Sequence, residues 1–163
     1  MRRLAVVAGG LIVFAVANLG IYEKEQLLAS GRSVFLELAP VDPRSLMQGD
    51  YMALRFRVAD EAFRGIPRDR LTDGRLVLAL DERHVGSFRR PDDGRPVDSR
   101  EVVIRFRARN GTPKFGTNAF FFQEGHDEYY ATAGFGEFKV SPDGEAILTT
   151  LRGENLELLG PPK

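Results

Sequence analysis

Ser45 is a candidate nucleophile in this sequence. A serine attacks when a nearby base takes its proton, and a lysine kept neutral by burial can serve as that base. The lysines lie at positions 24, 114, 139 and 163, and none of these is a clear buried strand position. Ser45 also lies within a predicted turn, where its hydroxyl can bond to the local backbone. The pattern therefore favours a structural turn, and a serine hydrolase or peptidase-like enzyme using Ser45 is the alternative.

The acidic segment 124–128 is a second place where chemistry could occur. Carboxylates and histidine are ligands for divalent cations, and this segment contains Glu124, His126, Asp127 and Glu128. Side chains at adjacent positions cannot all point at one centre, and the chain has two histidines in all. Acidic side chains are favoured at the start of a helix by its dipole. We therefore predict a solvated helix start, with no metal site and no cofactor.

Composition excludes several function classes. The chain has no cysteine, which excludes disulfides, thiol catalysis and cysteine-bound zinc. Its 23 basic and 23 acidic side chains balance to a net charge of +0. Residues 1–33 carry four basic and two acidic groups, so neither part of the chain is a strong polyelectrolyte. No nucleic-acid partner is therefore expected.

An uncharged run of 18 residues, 4–21, follows two arginines at the N-terminus. As a helix it spans about 27 Å, enough for a thin bilayer core. Tyr22 follows where interfacial aromatic residues lie. We predict a transmembrane anchor at 4–22 that binds membrane lipid, and a juxtamembrane helix extension at 23–31 that stops at Gly31.

The position of the two arginines predicts the orientation of this anchor. Arg2 and Arg3 should stay on the cytoplasmic side. The chain would then cross the inner (cytoplasmic) membrane once, with its N-terminus cytoplasmic and the rest extracytoplasmic, in the periplasm. Two alternatives remain open: a signal peptide cleaved after Ala17, within a small-x-small pattern, and a buried helix of a soluble domain.

Beyond the anchor, the period of the apolar residues changes to two, which predicts a β-rich extracytoplasmic domain at 34–159. Segments 51–58 and 102–109 alternate most clearly between an apolar and a solvated face. Short connections such as Asp143-Gly144 favour antiparallel pairing. Further strands are predicted at 34–39, 75–81, 84–89, 118–123, 135–140 and 145–151, and short helical pieces at 60–63 and 126–133. The predicted fold class is mainly β, an antiparallel sheet or small barrel-like domain with one N-terminal transmembrane helix.

A compact turn is predicted immediately before the strand at 51–58. Asp42 can cap a helical turn, and Pro43 fits the first helical position. Gly49 can end the turn with a positive φ, and Asp50 is short enough to bond the backbone amides of the same turn. The motif is therefore predicted to be structural.

This stretch resembles a bacterial family named for its motif Gly-Asp-Tyr-x-x-Leu-x-Tyr. Gly49, Asp50, Tyr51 and Leu54 match, and Phe56 stands where the motif has its final tyrosine. On a strand, Leu54 and Phe56 share one face and Tyr51 points to the other.

The resemblance extends to 120–125 and 140–144 and covers roughly residues 4–151. It implies an N-terminal membrane segment and a multi-pass membrane protein as partner, and it implies no biochemical activity. An anchored β domain is also similar to that of membrane-anchored signal peptidases, so Ser45 stays open as a nucleophile. The function we predict is a membrane-anchored extracytoplasmic structural or interaction module.

Aromatic residues are concentrated in 115–138, which holds eight of the chain's sixteen Phe and Tyr residues. The phenylalanines at 120–122 cannot all face one side of a strand. Part of this set must therefore be covered by something other than one sheet face. We predict an interaction patch formed by Phe121, Glu124, Glu128 and Tyr130.

Arginines alternate along the solvated faces of the two clearest strands. If those strands were neighbours, the arginines would form one basic ridge. Such a row usually provides solubility and protects a sheet edge, and its functional alternative is contact with anionic lipid headgroups. The residues of this predicted ridge are Arg55, Arg57, Arg105, Arg107 and Arg109.

Overall fold

The computed structural model describes residues 2–39, 47–48 and 51–161 of the chain. In this part the order of elements is α1 Arg2–Ser30, β1 Arg32–Glu37, β2 Met47–Gln48, β3 Tyr51–Ala53, α2 Arg57–Ala62, β4 Gly74–Leu80, β5 Gly86–Pro91, β6 Glu101–Arg109, β7 Thr112–Lys114, β8 Ala119–Phe121, β9 Phe135–Val140 and β10 Ala146–Arg152. Two short 3-10 helices cover Arg68–Arg70 and Asp127–Tyr130.

The strands form antiparallel sheets with the orders β1-β9-β10, β2-β3-β8 and β5-β4-β6-β7. Single contacts join the sheets: Phe35 forms a bridge with Val85, and the amide of Arg105 donates to the carbonyl of Gly144 over 2.7 Å. The prediction of a mainly antiparallel β domain is confirmed, including the hairpin at Asp143-Gly144 between β9 and β10.

Alternation along the strands explains where the core lies. In β6, Ile104 and Phe106 are buried, whereas Arg105 and Arg107 are exposed, because successive side chains of a strand face opposite sides. The apolar faces of all three sheets meet in one buried cluster. Phe56 lies within it and is 1% exposed.

The predicted strand at 51–58 is wrong in its second half. Strand β3 ends at Ala53, and α2 begins at Arg57. Val58 and Ala59 are adjacent and both buried. Adjacent residues of a half-exposed strand point to opposite faces and cannot both be buried, whereas adjacent residues of a helix can both lie on the side that packs against the core. The predicted helical turn at 60–63 is therefore the end of a helix that starts three residues earlier.

Helix α1 is continuous through the predicted boundary between anchor and extension, and it ends where Gly31 was predicted to stop it. The Gly31 amide donates to the Leu27 carbonyl over 2.9 Å. A Cβ at Gly31 would lie 2.4 Å from that same oxygen, so the close approach requires glycine here. Among the described residues, no helix is long and apolar enough to cross a membrane. The crossing at 4–22 stays a prediction.

The predicted turn before β3 lies outside the described residues. This applies to Asp42, Pro43, Ser45, Gly49 and Asp50. The short helix predicted at 126–133 is present as the 3-10 helix Asp127–Tyr130.

Candidate functional site

The motif residues within the described chain divide between core and surface. Leu54 and Phe56 are buried, and the Leu54 amide donates to the Asn118 carbonyl over 2.7 Å. Their burial is what a structural role requires. Tyr51 is half-buried and begins β3.

Tyr51 lies directly opposite Phe121 in the β3–β8 pair. Their ring centroids are 5.8 Å apart, and Phe121 is 72% exposed. Among the described strands, β8 is an outer strand of its sheet. The structure thus joins the motif to the predicted interaction patch. We call this pair the Tyr51–Phe121 surface. The sequence did not reveal the pairing because the two residues are 70 positions apart.

Tyr130 does not belong to an exposed patch, so this part of the predicted patch is wrong. It is 9% exposed, because its ring packs against Phe120 and Phe122 at centroid distances of 5.0 and 5.5 Å. The 3-10 helix folds Tyr130 against these two residues, which share the face of the aromatic run opposite Phe121. Its neighbour Tyr129 is exposed instead.

Glu124 and Glu128 are exposed, as predicted for the patch. In the segment they flank, the His126 ring contacts Tyr129 at a centroid distance of 5.4 Å. Within residues 2–39, 47–48 and 51–161, no group of three His, Asp or Glu side chains could hold a metal ion.

A family model described as GDYXXLXY protein matches residues 13–151. The chain belongs to this family. The match includes the motif strand and reaches from α1 into β10. No curated protein and no solved structure gives a match. The family name describes a motif and no activity, so the function must be argued from the site itself.

The departure from the GDYXXLXY motif at Phe56 coincides with an unsatisfied buried atom. Phe56 and Asn118 line the same cavity of about 650 Å³. The Asn118 amide nitrogen donates to the Pro113 carbonyl over 3.0 Å, but its Oδ1 is buried and has no hydrogen-bond partner. A tyrosine hydroxyl, which the family motif has at this position, is the kind of donor that Oδ1 lacks.

A serine–lysine contact occurs at a place where the sequence did not predict one. Lys139 Nζ donates to Ser33 Oγ over 2.9 Å, and the two residues are register partners on β1 and β9. Neither lines the cavities of about 650, 420 and 510 Å³ in the described chain. The contact is therefore a cross-strand hydrogen bond on a sheet face, and Ser45 as a nucleophile stays a prediction.

The predicted basic ridge is wrong in its first two members. Arg55 and Arg57 follow β3 and pair with Asp60 and Glu37 at 2.8 and 2.9 Å. They do not join the β6 arginines, because β6 pairs with β4 and β7.

The remaining basic row lies on β6 alone and comprises Arg105, Arg107 and Arg109. Arg105 pairs with Asp143 at 3.0 Å, and Arg109 pairs with Asp73 at 3.3 Å. The Ser141 hydroxyl, and more weakly the Arg105 guanidinium, hold the pKa of Asp143 below its ordinary value.

Proposed function

We propose that this chain is a membrane-anchored interaction module. Helix α1 holds it in the membrane, and the β domain presents the Tyr51–Phe121 surface to a multi-pass membrane protein on the extracytoplasmic side. The observation that carries the proposal is the exposure of the apolar side chains along α1.

Among the described residues, nothing covers the apolar side chains in the middle of α1. Leu11, Ile12, Val13 and Phe14 are 64–70% exposed. Burying an apolar side chain of this size is worth about 1.5–3 kcal/mol, so a helix lined with several of them is strongly favoured in an apolar medium. The whole uncharged run, residues 4–21, gives about 27 Å of helix.

The end of α1 is fixed to the β domain, which supports a defined placement of the domain at the membrane surface. Leu27 is buried, and Lys24 forms an ion pair with Glu145 of the loop before β10. Gly31 then turns the chain directly into β1. A domain joined this closely to the end of the helix stays near the bilayer.

Reporter fusions test the anchor and its orientation. Alkaline phosphatase fused after Lys163 should be active, and a fluorescent protein that folds only in the cytoplasm should be dark at the same position, because Arg2 and Arg3 favour the cytoplasmic side. The reverse pattern would contradict the orientation. Intact mass of the membrane fraction distinguishes the anchor from a signal peptide, since cleavage would leave a mature N-terminus at Asn18.

The Tyr51–Phe121 surface supports the interaction half of the proposal. A large aromatic side chain that stays exposed on an outer strand marks a site where a partner can add contact area. A photoreactive residue at position 121 should capture a membrane protein in intact cells. The matched control is position 97, where Val97 is 41% exposed in the loop between β5 and β6, which belong to another sheet. Equal capture at both positions would contradict the assignment of partner binding to the Tyr51–Phe121 surface.

A further inference from the structure

A cavity of about 420 Å³ lies between the end of α1 and strands β6, β7 and β10. Its basic lining residues outnumber its acidic ones by four to one. The basic residues are Lys24, Arg105, Arg107 and Lys114, and the acidic one is Glu145. Since the whole chain has a net charge of +0, this local excess is a property of the site.

Two of the four cations in the cavity are neutralised and two are not. Lys24 pairs with Glu145, and Arg105 pairs with an aspartate of the β9–β10 turn. Arg107 and Lys114 have no side-chain partner among the described residues. They are also direct register partners on β6 and β7, and like charges opposite each other on a sheet are destabilising. A bound anion between them would remove that cost.

The same cavity also has apolar lining residues. Ile147 and Leu148 of β10 line it. Gly116, with φ +66°, lies so near β10 that a Cβ would be 2.4 Å from the Ala146 carbonyl oxygen. The loop after β7 therefore lies against β10, and one cavity is lined both by cations of β6 and β7 and by apolar residues of β10. This combination fits an amphiphile better than a free ion.

The cavity also lies close to the end of the proposed anchor. Lys24 is three residues beyond the last residue of the uncharged run, which is about 4.5 Å along a helix. If α1 is in the bilayer, this distance places the cavity at the level of the lipid headgroups.

We propose that this cavity binds the phosphate headgroup of an anionic phospholipid. Arg107 and Lys114 donate charge-assisted hydrogen bonds to the phosphate oxygens, and Ile147 contacts the adjoining methylene groups. The inference rests on the proposed membrane anchor, and it adds a lipid class that the anchored domain selects.

Binding of a short-chain phosphatidylglycerol to the full-length chain, purified in a neutral detergent, tests this site. Saturable binding is expected, with little binding of the matching phosphatidylcholine. The double variant Arg107→Gln/Lys114→Gln should weaken it at least tenfold. Arg83→Gln/Arg100→Gln is the control with the same charge change, because both arginines are exposed and neither lines the cavity. An equal loss in both double variants, or no saturable binding, would overturn the proposal.

Inorganic phosphate distinguishes a lipid from a free anion. Inorganic phosphate, added at the lipid concentration that saturates the site, should not displace the bound lipid. Full displacement would overturn the assignment to a lipid. The anchor is tested separately by incorporation into vesicles of phosphatidylcholine only. Both double variants should enter these vesicles as wild type does, so loss of headgroup binding with normal incorporation is a failure of this site alone.

Discussion

Helix α1 and the β domain use the same apolar residue types in opposite ways. Along α1, Phe14 is 67% exposed, whereas in the β domain Phe56 and Phe138 are at most 1% exposed. In the sheets, a period of two directs apolar side chains to one side, where three sheets bury them together. In α1, apolar side chains surround the helix, so no single protein face could bury them all.

This difference indicates that the two regions depend on different surroundings. The core of the β domain is completed within the described residues, whereas the exposed apolar side chains of α1 are not covered by them. A substitution in the core should therefore change the free energy of unfolding, and one in α1 should change the partition into membranes.

Removing the ring of Phe56 should give the largest loss of stability. Phe56→Ala should lower the free energy of unfolding by about 3–5 kcal/mol, because its ring packs edge-on against Phe115 and Phe138. Thermal unfolding of the full-length chain in detergent, followed by circular dichroism, measures this. Phe121→Ala is the control and should change little, since Phe121 is exposed. A similar loss of unfolding free energy in both variants would contradict the burial of Phe56 in the core.

A charge in α1 should act on membrane partition and leave the fold intact. Phe14→Arg places a guanidinium within the uncharged run, at a cost of about 2.5–3.5 kcal/mol near the bilayer centre. The membrane-bound fraction after alkaline washing should fall markedly, with an unchanged unfolding temperature. Leu158→Arg, at a comparably exposed apolar residue of the β domain, should not affect partition. If Phe14→Arg stayed fully in the membrane, α1 would not be the anchor.

The joint between the two regions should be sensitive at a single glycine. Gly31→Ala would place a Cβ 2.4 Å from the Leu27 carbonyl oxygen and 2.8 Å from its Cδ1. We expect the unfolding free energy to fall by about 1–3 kcal/mol, as in other overpacked sites. Gly9→Ala is the matched control, because nothing lies within 4 Å of a Cβ at Gly9. If the two variants were equally stable, α1 would not be locked to the domain by this turn.

Restoring the tyrosine of the family motif should give the smallest change in the free energy of unfolding, and this change identifies the partner of the added hydroxyl. Phe56→Tyr should gain about 1 kcal/mol if its hydroxyl donates to the unsatisfied Asn118 Oδ1. The gain should disappear in an Asn118→Ala background, which a double-mutant cycle of unfolding free energies measures. A gain of the same size in both backgrounds would show that the hydroxyl bonds elsewhere.

Periodicity in the sequence predicts the long strands well. Strands β6 and β9 alternate in burial over at least five residues, β4 has a continuous apolar run at 76–80, and each of the three pairs with a near neighbour along the chain. The sequence also predicts the exposure of Phe121, because three consecutive phenylalanines cannot share one face.

Non-local contacts and short elements could not be predicted in this way. Strands β2 and β7 are two and three residues long, which is too short for a period to be visible. The pairing of Tyr51 with Phe121 and the facing of Arg107 with Lys114 depend on tertiary register. The burial of Tyr130 depends on a 3-10 helix whose direction no local pattern fixes.

The accessibility of single labelled sites in a reconstituted bilayer tests the central claim most directly. The chain has no cysteine, so Val13→Cys and Phe121→Cys each give one position for a nitroxide label. We predict that a label at 13 collides readily with dissolved oxygen and little with an aqueous nickel chelate, while a label at 121 does the reverse. Equal access of the chelate to both labels would contradict the membrane anchor.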